Sequence, residues 1–311
     1  MSSERTVVIS LASPDRFDRI RSQHAELRRL HPDRFDDGSL RHVVCLLAPG
    51  ASAESVFADH AGALPATIDT TAADASGGKV RLGAARNAGA AAAIELGASL
   101  LVFLDADCLP GDHLLDRYEN AAGTAKGDAA GREGTATRRL LLGPVTYLTE
   151  EETEGLAASA PVIPHPHPAR PDPNDGEVVD VDPDATAEGS GAPDPFALFW
   201  SLSFACSPEV FARIGGFDET YAGYGGEDTD FAFAARRAGV GLRWVGGAHA
   251  FHRYHPVSSP PVEHVADIVA NARIFFDRWR IWPMEGWLHA FRDLGLVTFD
   301  ARSGWRLTAE G

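Results

Sequence analysis

The run Leu100-Leu101-Val102-Phe103-Leu104 ends abruptly in Asp105-Ala106-Asp107, and this junction constrains the fold more than any other stretch of the chain. Five consecutive apolar residues read as a buried strand. Two carboxylates one residue apart at the end of such a strand are costly unless something cationic meets them. Carboxylate oxygens suit hard divalent ions such as Mg²⁺ or Mn²⁺, which take one or two carboxylates together with waters and ligand phosphates. In an open α/β sheet the carboxyl end of a strand is also where ligands bind. Taken alone, the tripeptide equally fits an ordinary acidic loop, with Cys108-Leu109-Pro110 closing the turn.

The surrounding pattern alternates. Residues 6–11 read as a strand, 16–30 as an amphipathic helix with Phe17, Ile20, Leu27 and Leu30 on its apolar side, and His42 to Ala48 as a second strand stopped by Pro49-Gly50. A short strand is expected near Ala66-Thr67-Ile68, and Leu82 to Leu96 form an Ala-rich helix. Such alternation predicts a mostly parallel sheet with helices on its faces. Further on, Phe196 to Cys206 fits a buried strand, Ser207-Pro208 starts a short helix that ends at Gly215-Gly216, and residues 241–245 make another strand. Residues 259–280 form a helix whose stripe of Val265, Ile268, Ala272, Phe275, Phe276 and Trp279 reads as core. Trp282, Trp287 and Trp305 fit core packing or a sugar-holding surface.

Composition excludes some partners. With 311 residues and 44% hydrophobic content, the chain can bury a substantial core in one large domain or two moderate ones. A formal net charge of −16 argues against a nucleic-acid surface, yet it leaves a nucleotide open, because a divalent ion can offset local negative charge. Lys79 and Lys126 are the only lysines. Cys45, Cys108 and Cys206 form no CxxC pair, which predicts a reducing compartment without a disulfide framework or zinc site. The first residues lack signal-peptide character and no run approaches membrane-spanning length, so a cytoplasmic location is expected. From 150 to 195 the chain is acidic and rich in Pro, Gly and Ala, with Arg170 its only basic residue; this stretch reads as a mobile insertion.

A second acidic cluster follows. Gly215-Gly216-Phe217-Asp218-Glu219 precedes Tyr224-Gly225-Gly226-Glu227-Asp228-Thr229-Asp230 and a helical stretch from Phe231 to Ala238. Carboxylates at a helix start are favoured by the macrodipole, and Asp228 could act as a general base there. Taken alone, the cluster reads as an acidic cap, with Asp230 or Glu227 capping the helix. After the strand 241–245 come His249, His252 and His255, spaced by three, and neutral imidazoles can complete a metal site begun by carboxylates.

Together these pieces resemble the family 2 nucleotide-sugar glycosyltransferases and their galactosyltransferase-like relatives. The resemblance rests on Ser10 to Arg16, Arg81-Leu-Gly-Ala-Ala-Arg86-Asn87-Ala-Gly89, the Asp105–Asp107 pair, Gly215 to Glu219, Gly225-Gly226-Glu227-Asp228 and the histidines, spanning residues 6–255 in the family's order. It implies a glycosyltransferase A fold: an α/β Rossmann-like, mostly parallel sheet flanked by helices. Residues 1–258 would be the catalytic domain, with 150–195 as its insertion and 259–311 as a helical extension packed on it. The implied activity is transfer of a sugar from a nucleotide-diphosphate donor to an acceptor hydroxyl, with inversion, supported by Mn²⁺ or Mg²⁺. Asp107 would be the metal ligand, joined by His252 or His255. Asp105 would contact the ribose or support the metal, and Arg86 would lie near the nucleotide, with Ser10, Arg16, Asn87, Gly225 and Gly226 also on the donor side. Glu227 and Asp228 would face the acceptor, with Asp228 as the base. The stretch 150–195 departs from the common pattern. Competing readings are a metal-dependent nucleotidyltransferase, for which Leu11 to Arg16 supplies too few basic residues, and a non-catalytic sugar-nucleotide-binding or scaffold protein of the same fold.

Overall fold

The computed structural model describes residues 5–58, 64–69, 74–75, 79–123, 138–157, 162–186 and 193–308. The first half runs β1 (Thr6–Ala12), α1 (Phe17–Leu30), α2 (Pro32–Asp37), β2 (Leu40–Leu46), α3 (Ala53–Val56), β3 (Ala66–Asp69), β4 (Asp74–Ala75), β5 (Lys79–Val80), α4 (Leu82–Glu95), β6 (Leu100–Leu104), β7 (Cys108–Pro110) and α5 (Leu114–Gly123). It continues with β8 (Arg139–Leu142), β9 (Val145–Tyr147), α6 (Glu150–Ala157), β10 (Val178–Val181), β11 (Ser203–Cys206), α7 (Pro208–Ile214), α8 (Glu227–Arg237), β12 (Gly241–Val245) and β13 (Ala250–His252). The C-terminal part holds α9 (Val265–Trp279), α10 (Glu285–Asp293), β14 (Val297–Asp300) and β15 (Gly304–Leu307).

Eight strands form one sheet in the order β10-β12-β8-β11-β6-β1-β2-β3. The pairs β1–β2, β1–β6, β2–β3 and β8–β12 are parallel, while β11 and β10 run antiparallel to their neighbours. Alternation along the strands divides the core between two faces. Val7, Ile9 and Leu11 of β1 share a cluster with Leu101 and Phe103 of β6 and with residues of α4, α7 and α8. Val8, Val102 and Leu104 share the other with Leu114, Leu115 and Tyr118 of α5. Continuous apolar runs were therefore the signature of strands buried on both sides. The mostly parallel sheet with flanking helices matches the expectation.

Four details differ from it. β2 spans Leu40–Leu46 rather than 42–48, because Thr6 to Ala12 pairs with that register. The run 196–206 divides into a 3₁₀ turn at Pro195–Leu198 and the strand β11. The C-terminal extension is not wholly helical: the β14–β15 hairpin closes a core of Ile268, Ala272, Leu288, Phe291, Val297 and Trp305. The acidic stretch 150–195, expected as a mobile loop, contributes α6 and the sheet-edge strand β10, and residues 158–161 and 187–192 of it lie outside the described residues. Its acids meet arginines distant in sequence: Arg243 grips Asp180 with two hydrogen bonds of 2.7 and 2.8 Å, Arg139 donates to Asp182 at 2.7 Å, and Arg117 donates to Asp175 at 2.7 Å.

The extension is fastened to the main domain through buried Asp230 on α8, which is 1% exposed. Its carboxylate accepts from Trp279 Nε1 at 2.6 Å, Arg278 Nη1 at 2.6 Å and Tyr221 Oη at 3.2 Å. Removing one partner of a buried ion pair costs about 3–5 kcal/mol. Arg278 also holds Asp218 at 2.8 Å, so Asp230→Ala is expected at the lower end, about 3 kcal/mol, measured by urea denaturation.

Candidate active site

At the end of β6 the chain turns back sharply. Cys108 N donates to Asp105 O at 2.9 Å, and Asp105 N donates to Leu202 O at 2.9 Å. The turn's carbonyls are all engaged. Gln23 Nε2 donates to Asp105 O and Cys108 O, both at 2.7 Å, while Arg253 gives Nη2 to Ala106 O at 3.1 Å and its backbone N to Asp107 O at 2.9 Å. β7 leaves this turn and pairs antiparallel with β13, with Cys108 opposite His252. That pairing carries the histidines, remote in sequence, to the carboxylate.

Asp107, His252 and His255 thereby offer ligand atoms that all lie within 4.8 Å of one another. Burial, first among the causes, holds His252 down to about 4, so its imidazole is neutral with a lone pair to give. One carboxylate and two imidazoles fit a first-row divalent ion such as Mn²⁺, whereas Mg²⁺ favours oxygen alone. Arg16 Nε and Arg19 Nη1 each approach an Asp107 oxygen at 2.9 Å; the Arg19 contact is ionic, without hydrogen-bond alignment. His249, the third of the spaced histidines, is not part of the cluster.

The second acidic cluster begins at a backbone feature. Gly225 and Gly226 have φ of +89° and +94°, a region closed to most side chains, and α8 starts directly after them. A Cβ on Gly225 would also lie 3.0 Å from Met284 Sδ. Glu227, 6% exposed, accepts from Arg86 Nη1 at 3.0 Å, and the guanidinium stacks 5.2 Å from the Phe217 ring centroid. Asp228 accepts from Thr229 N at 2.7 Å. Burial and then the neighbouring Glu227 charge push Asp228 up to about 7, although some of its surface still meets solvent at the cleft wall. Asp105 is also raised, first by burial; Arg86 opposes this, while Asp107 and Glu227 reinforce it. Asp105 thus feels both acidic clusters, with Arg86 beside it in a pocket that includes Leu11, Phe103 and Ser201.

The structure thus brings Arg16, Arg86, Asp105, Asp107, Glu227, Asp228, His252 and His255 to one end of the sheet. Four residues expected on the donor side also have partners within the protein. Ser10 is 1% exposed and its hydroxyl is committed to Gln23 and His42. Asn87 clamps the loop before α8, donating to Phe217 O and Glu219 Oε1 at 2.9 Å and accepting from Phe217 N at 2.8 Å. Gly225 and Gly226 pack against Met284 and Tyr221 and serve the turn's geometry. The alternative of an acidic cap is not realised, since α8 has no side-chain cap and Asp230 faces Arg278 and Trp279.

Sequence reasoning missed Gln23, Arg19 and Arg253. Arg19 lies one helical turn beyond Arg16, a spacing that could have revealed it. It also missed half-exposed Tyr147, whose ring centroid is 4.9 Å from that of His252, and Tyr224, stacked at 4.5 Å on His264. Arg170 is 6% exposed between Trp200 and Trp244, at 5.1 and 4.9 Å, and its guanidinium makes no hydrogen bond among the described residues. Trp305 is core, and Trp282 stacks on Phe276 at 4.2 Å.

A mostly parallel sheet whose central strand ends in Asp-x-Asp, closed by a three-stranded β7-β13-β9 unit bearing histidines, is the glycosyltransferase A fold. The family model described as the N-terminal domain of galactosyltransferase matches residues 183–256, the stretch that contains the Gly-Gly-Glu-Asp turn and the histidines. Chondroitin synthase of Escherichia coli is 37% identical over 62 residues, 20% of this chain and 9% of that protein. Validoxylamine A glucosyltransferase of Streptomyces hygroscopicus subsp. jinggangensis is 37% identical over 46 residues, 15% of this chain and 11% of that protein. The chain thus spans about a tenth of the length of these curated relatives. Among solved structures, GalNAc-T7 with UDP, GalNAc and Mn²⁺ superposes with a TM-score of 0.53 at 13% identity, covering 90% of this chain and 49% of that one. Residues 1–349 of S. aureus TarS in complex with UDP-GlcNAc give 0.52 at 12% identity, covering 88% and 66%. The resemblance to nucleotide-sugar glycosyltransferases read from the sequence is borne out at the level of fold and family motif. No helix among the described residues is long and apolar enough to cross a membrane.

The raised Asp228 carboxyl has a consequence for stability. Its proton is held in the folded state at a pH where the unfolded chain has lost it, so its contribution is present below about pH 4 and is lost as pH rises through about 7. Asp228→Asn should therefore gain stability relative to wild type between pH 5 and pH 8, as read from urea denaturation at the two values.

Proposed function

We propose that the chain is a metal-dependent glycosyltransferase moving a sugar from a nucleotide-diphosphate donor to an acceptor hydroxyl with inversion. The observation that carries this reading is the pairing of two chemistries at one sheet end. Asp107, His252 and His255 form a ligand set, and Asp228 is a carboxyl poised near neutral pH. The solved neighbours whose titles include UDP with Mn²⁺ and UDP-GlcNAc support the donor class.

A divalent ion held by Asp107 with the two histidines would supply Lewis-acid neutralisation of the diphosphate leaving group. Asp228 takes the proton of the acceptor hydroxyl as the oxygen attacks the anomeric carbon from the face opposite the diphosphate. A base with its pKa near the working pH combines adequate basicity with a large ionised fraction. Glu227 pairs with Arg86 at 3.0 Å, and its charge raises the neighbouring Asp228. Asp105, raised by burial and placed beside Arg86, is suited to hydrogen-bond a ribose hydroxyl.

Asp107→Ala is expected to abolish the Mn²⁺ dependence of UDP binding, measured by calorimetry with and without the ion. Equal UDP affinity with and without Mn²⁺ in the wild type would overturn the metal assignment. Asp228→Asn keeps the shape and removes the basicity. It should lower kcat by roughly 10²–10⁴-fold while donor affinity stays close to wild type. In wild type, activity should rise with pH and level off above about 7 as Asp228 ionises. Near-normal turnover by the Asn variant would pass the role to Glu227.

A further inference from the structure

Four buried polar side chains run from the outer strands to the underside of the Asp105–Cys108 turn. Ser10, Gln23, His24 and His42 are each 0–1% exposed. His24 Nδ1 lies 3.0 Å from His42 Nδ1, His42 Nε2 lies 3.2 Å from Ser10 Oγ, and Ser10 Oγ lies 2.6 Å from Gln23 Oε1. Gln23 Nε2 then reaches the carbonyls of Asp105 and Cys108, both at 2.7 Å.

The donor and acceptor inventory leaves this chain one direction. Carbonyl oxygens only accept, so the Gln23 amide nitrogen must face the two carbonyls and spend both its hydrogens on them. Its oxygen then accepts, which obliges Ser10 to donate. A hydroxyl that has given its one hydrogen accepts from His42 Nε2–H. His42 Nδ1 is therefore bare and accepts from His24 Nδ1–H. Burial, which holds His42 well below the ordinary imidazole value, agrees with a neutral ring of this tautomer. Hydrogen bonds aligned head to tail in a low-dielectric interior polarise and reinforce one another.

We infer that Gln23 is a positioning residue for the metal ligand Asp107. Its amide clamps both ends of the Asp105–Cys108 turn from below, and Ser10, His42 and His24 fix the amide's orientation. Arg253 grips the same turn through Ala106 O and Asp107 O. Between the two clamps the Asp107 side chain is aimed at His252 and His255. Nothing in the composition or spacing of the sequence marks Gln23, because it sits on the inner side of α1, seven residues beyond Arg16. This inference rests on the proposed metal role of Asp107.

The test uses Mn²⁺ alone as the probe, titrated by calorimetry and by the paramagnetic resonance of free ion, in the full chain. Gln23→Met keeps length and neutrality and removes both donors. It should weaken Mn²⁺ binding by about 10–100-fold, as loss of a partner that orients a ligand does. Amide exchange at Cys108 and Arg253 should also accelerate, because their hydrogen bonds close the turn. Ser10→Ala keeps Gln23 but frees its amide to rotate, and should weaken Mn²⁺ by about 3–10-fold, the worth of one neutral hydrogen bond. A folded Gln23→Met that binds Mn²⁺ as wild type does would overturn the inference. If that variant fails to fold, wild-type affinity in Ser10→Ala overturns it instead. Asp107→Ala separates the two levels. If wild type and Asp107→Ala bind Mn²⁺ alike, the metal reading has failed, and unchanged amide exchange at Cys108 and Arg253 in Gln23→Met then refutes the clamp itself.

Discussion

Negative charge gathered at one end of the sheet, and the arginines that offset it, set the conditions for everything else in this molecule. Asp105, Asp107, Glu227 and Asp228 converge from two segments over a hundred residues apart. Buried like charges repel, and burial alone disfavours ionisation. Arg16 and Arg19 answer Asp107, and Arg86 answers Glu227. Asp228, with no arginine bonded to it among the described residues, is carried up to about 7 by burial and the Glu227 charge, and buried Asp105 is raised as well. The arginines therefore offset two of the four carboxylates directly and leave the other two raised.

Rigidity at that end comes from elements packed around the two acidic clusters. The glycine turn before α8 is held by α9, where Asn271 donates to Ala222 O and Tyr224 O at 3.1 Å and Asp267 accepts from Tyr224 N at 3.3 Å. Asp230, one turn into α8, is tied to Arg278 and Trp279 of the same helix α9. The C-terminal extension is thus a brace for the acidic turn rather than an appendage. The Asp105–Cys108 turn is braced in the same manner by Gln23 and Arg253. Asp105 and Asp107 thus sit on a turn held from two sides, and Glu227 and Asp228 open α8 directly after the braced glycines.

Several features of the structure were not legible in the sequence for one physical reason: local composition does not report distant partners. The acidic stretch 150–195 reads as unable to order itself, because its acids find nothing cationic nearby in sequence. Asp175, Asp180 and Asp182 meet Arg117, Arg243 and Arg139 only after the sheet has formed. Ser10, Asn87 and Gly225 were recognisable as parts of a motif, yet a motif records that a residue matters without saying whether it touches a ligand. Ser10 supports a buried network and Asn87 clamps a loop. Gly225 permits a left-handed turn against Met284.

What the sequence determined by itself was the set of elements and the chemistry available to them. β-branched and aromatic apolar runs mark strands buried on both faces, the Gly225-Gly226 pair marks a tight turn, and Asp105-Ala106-Asp107 at a strand end is costly without a cation. Those are consequences of period, sterics and desolvation, which act over a few residues. Tertiary structure decided which of these residues meet. The antiparallel pairing of β7 with β13 delivers His252 to Asp107, the salt bridge from α4 to α8 neutralises Glu227 but not Asp228, and the inner face of α1 lays Gln23 beneath the turn. Hydrogen-bond register and burial set those contacts across more than eighty residues of chain, and both come into being only when the sheet is assembled.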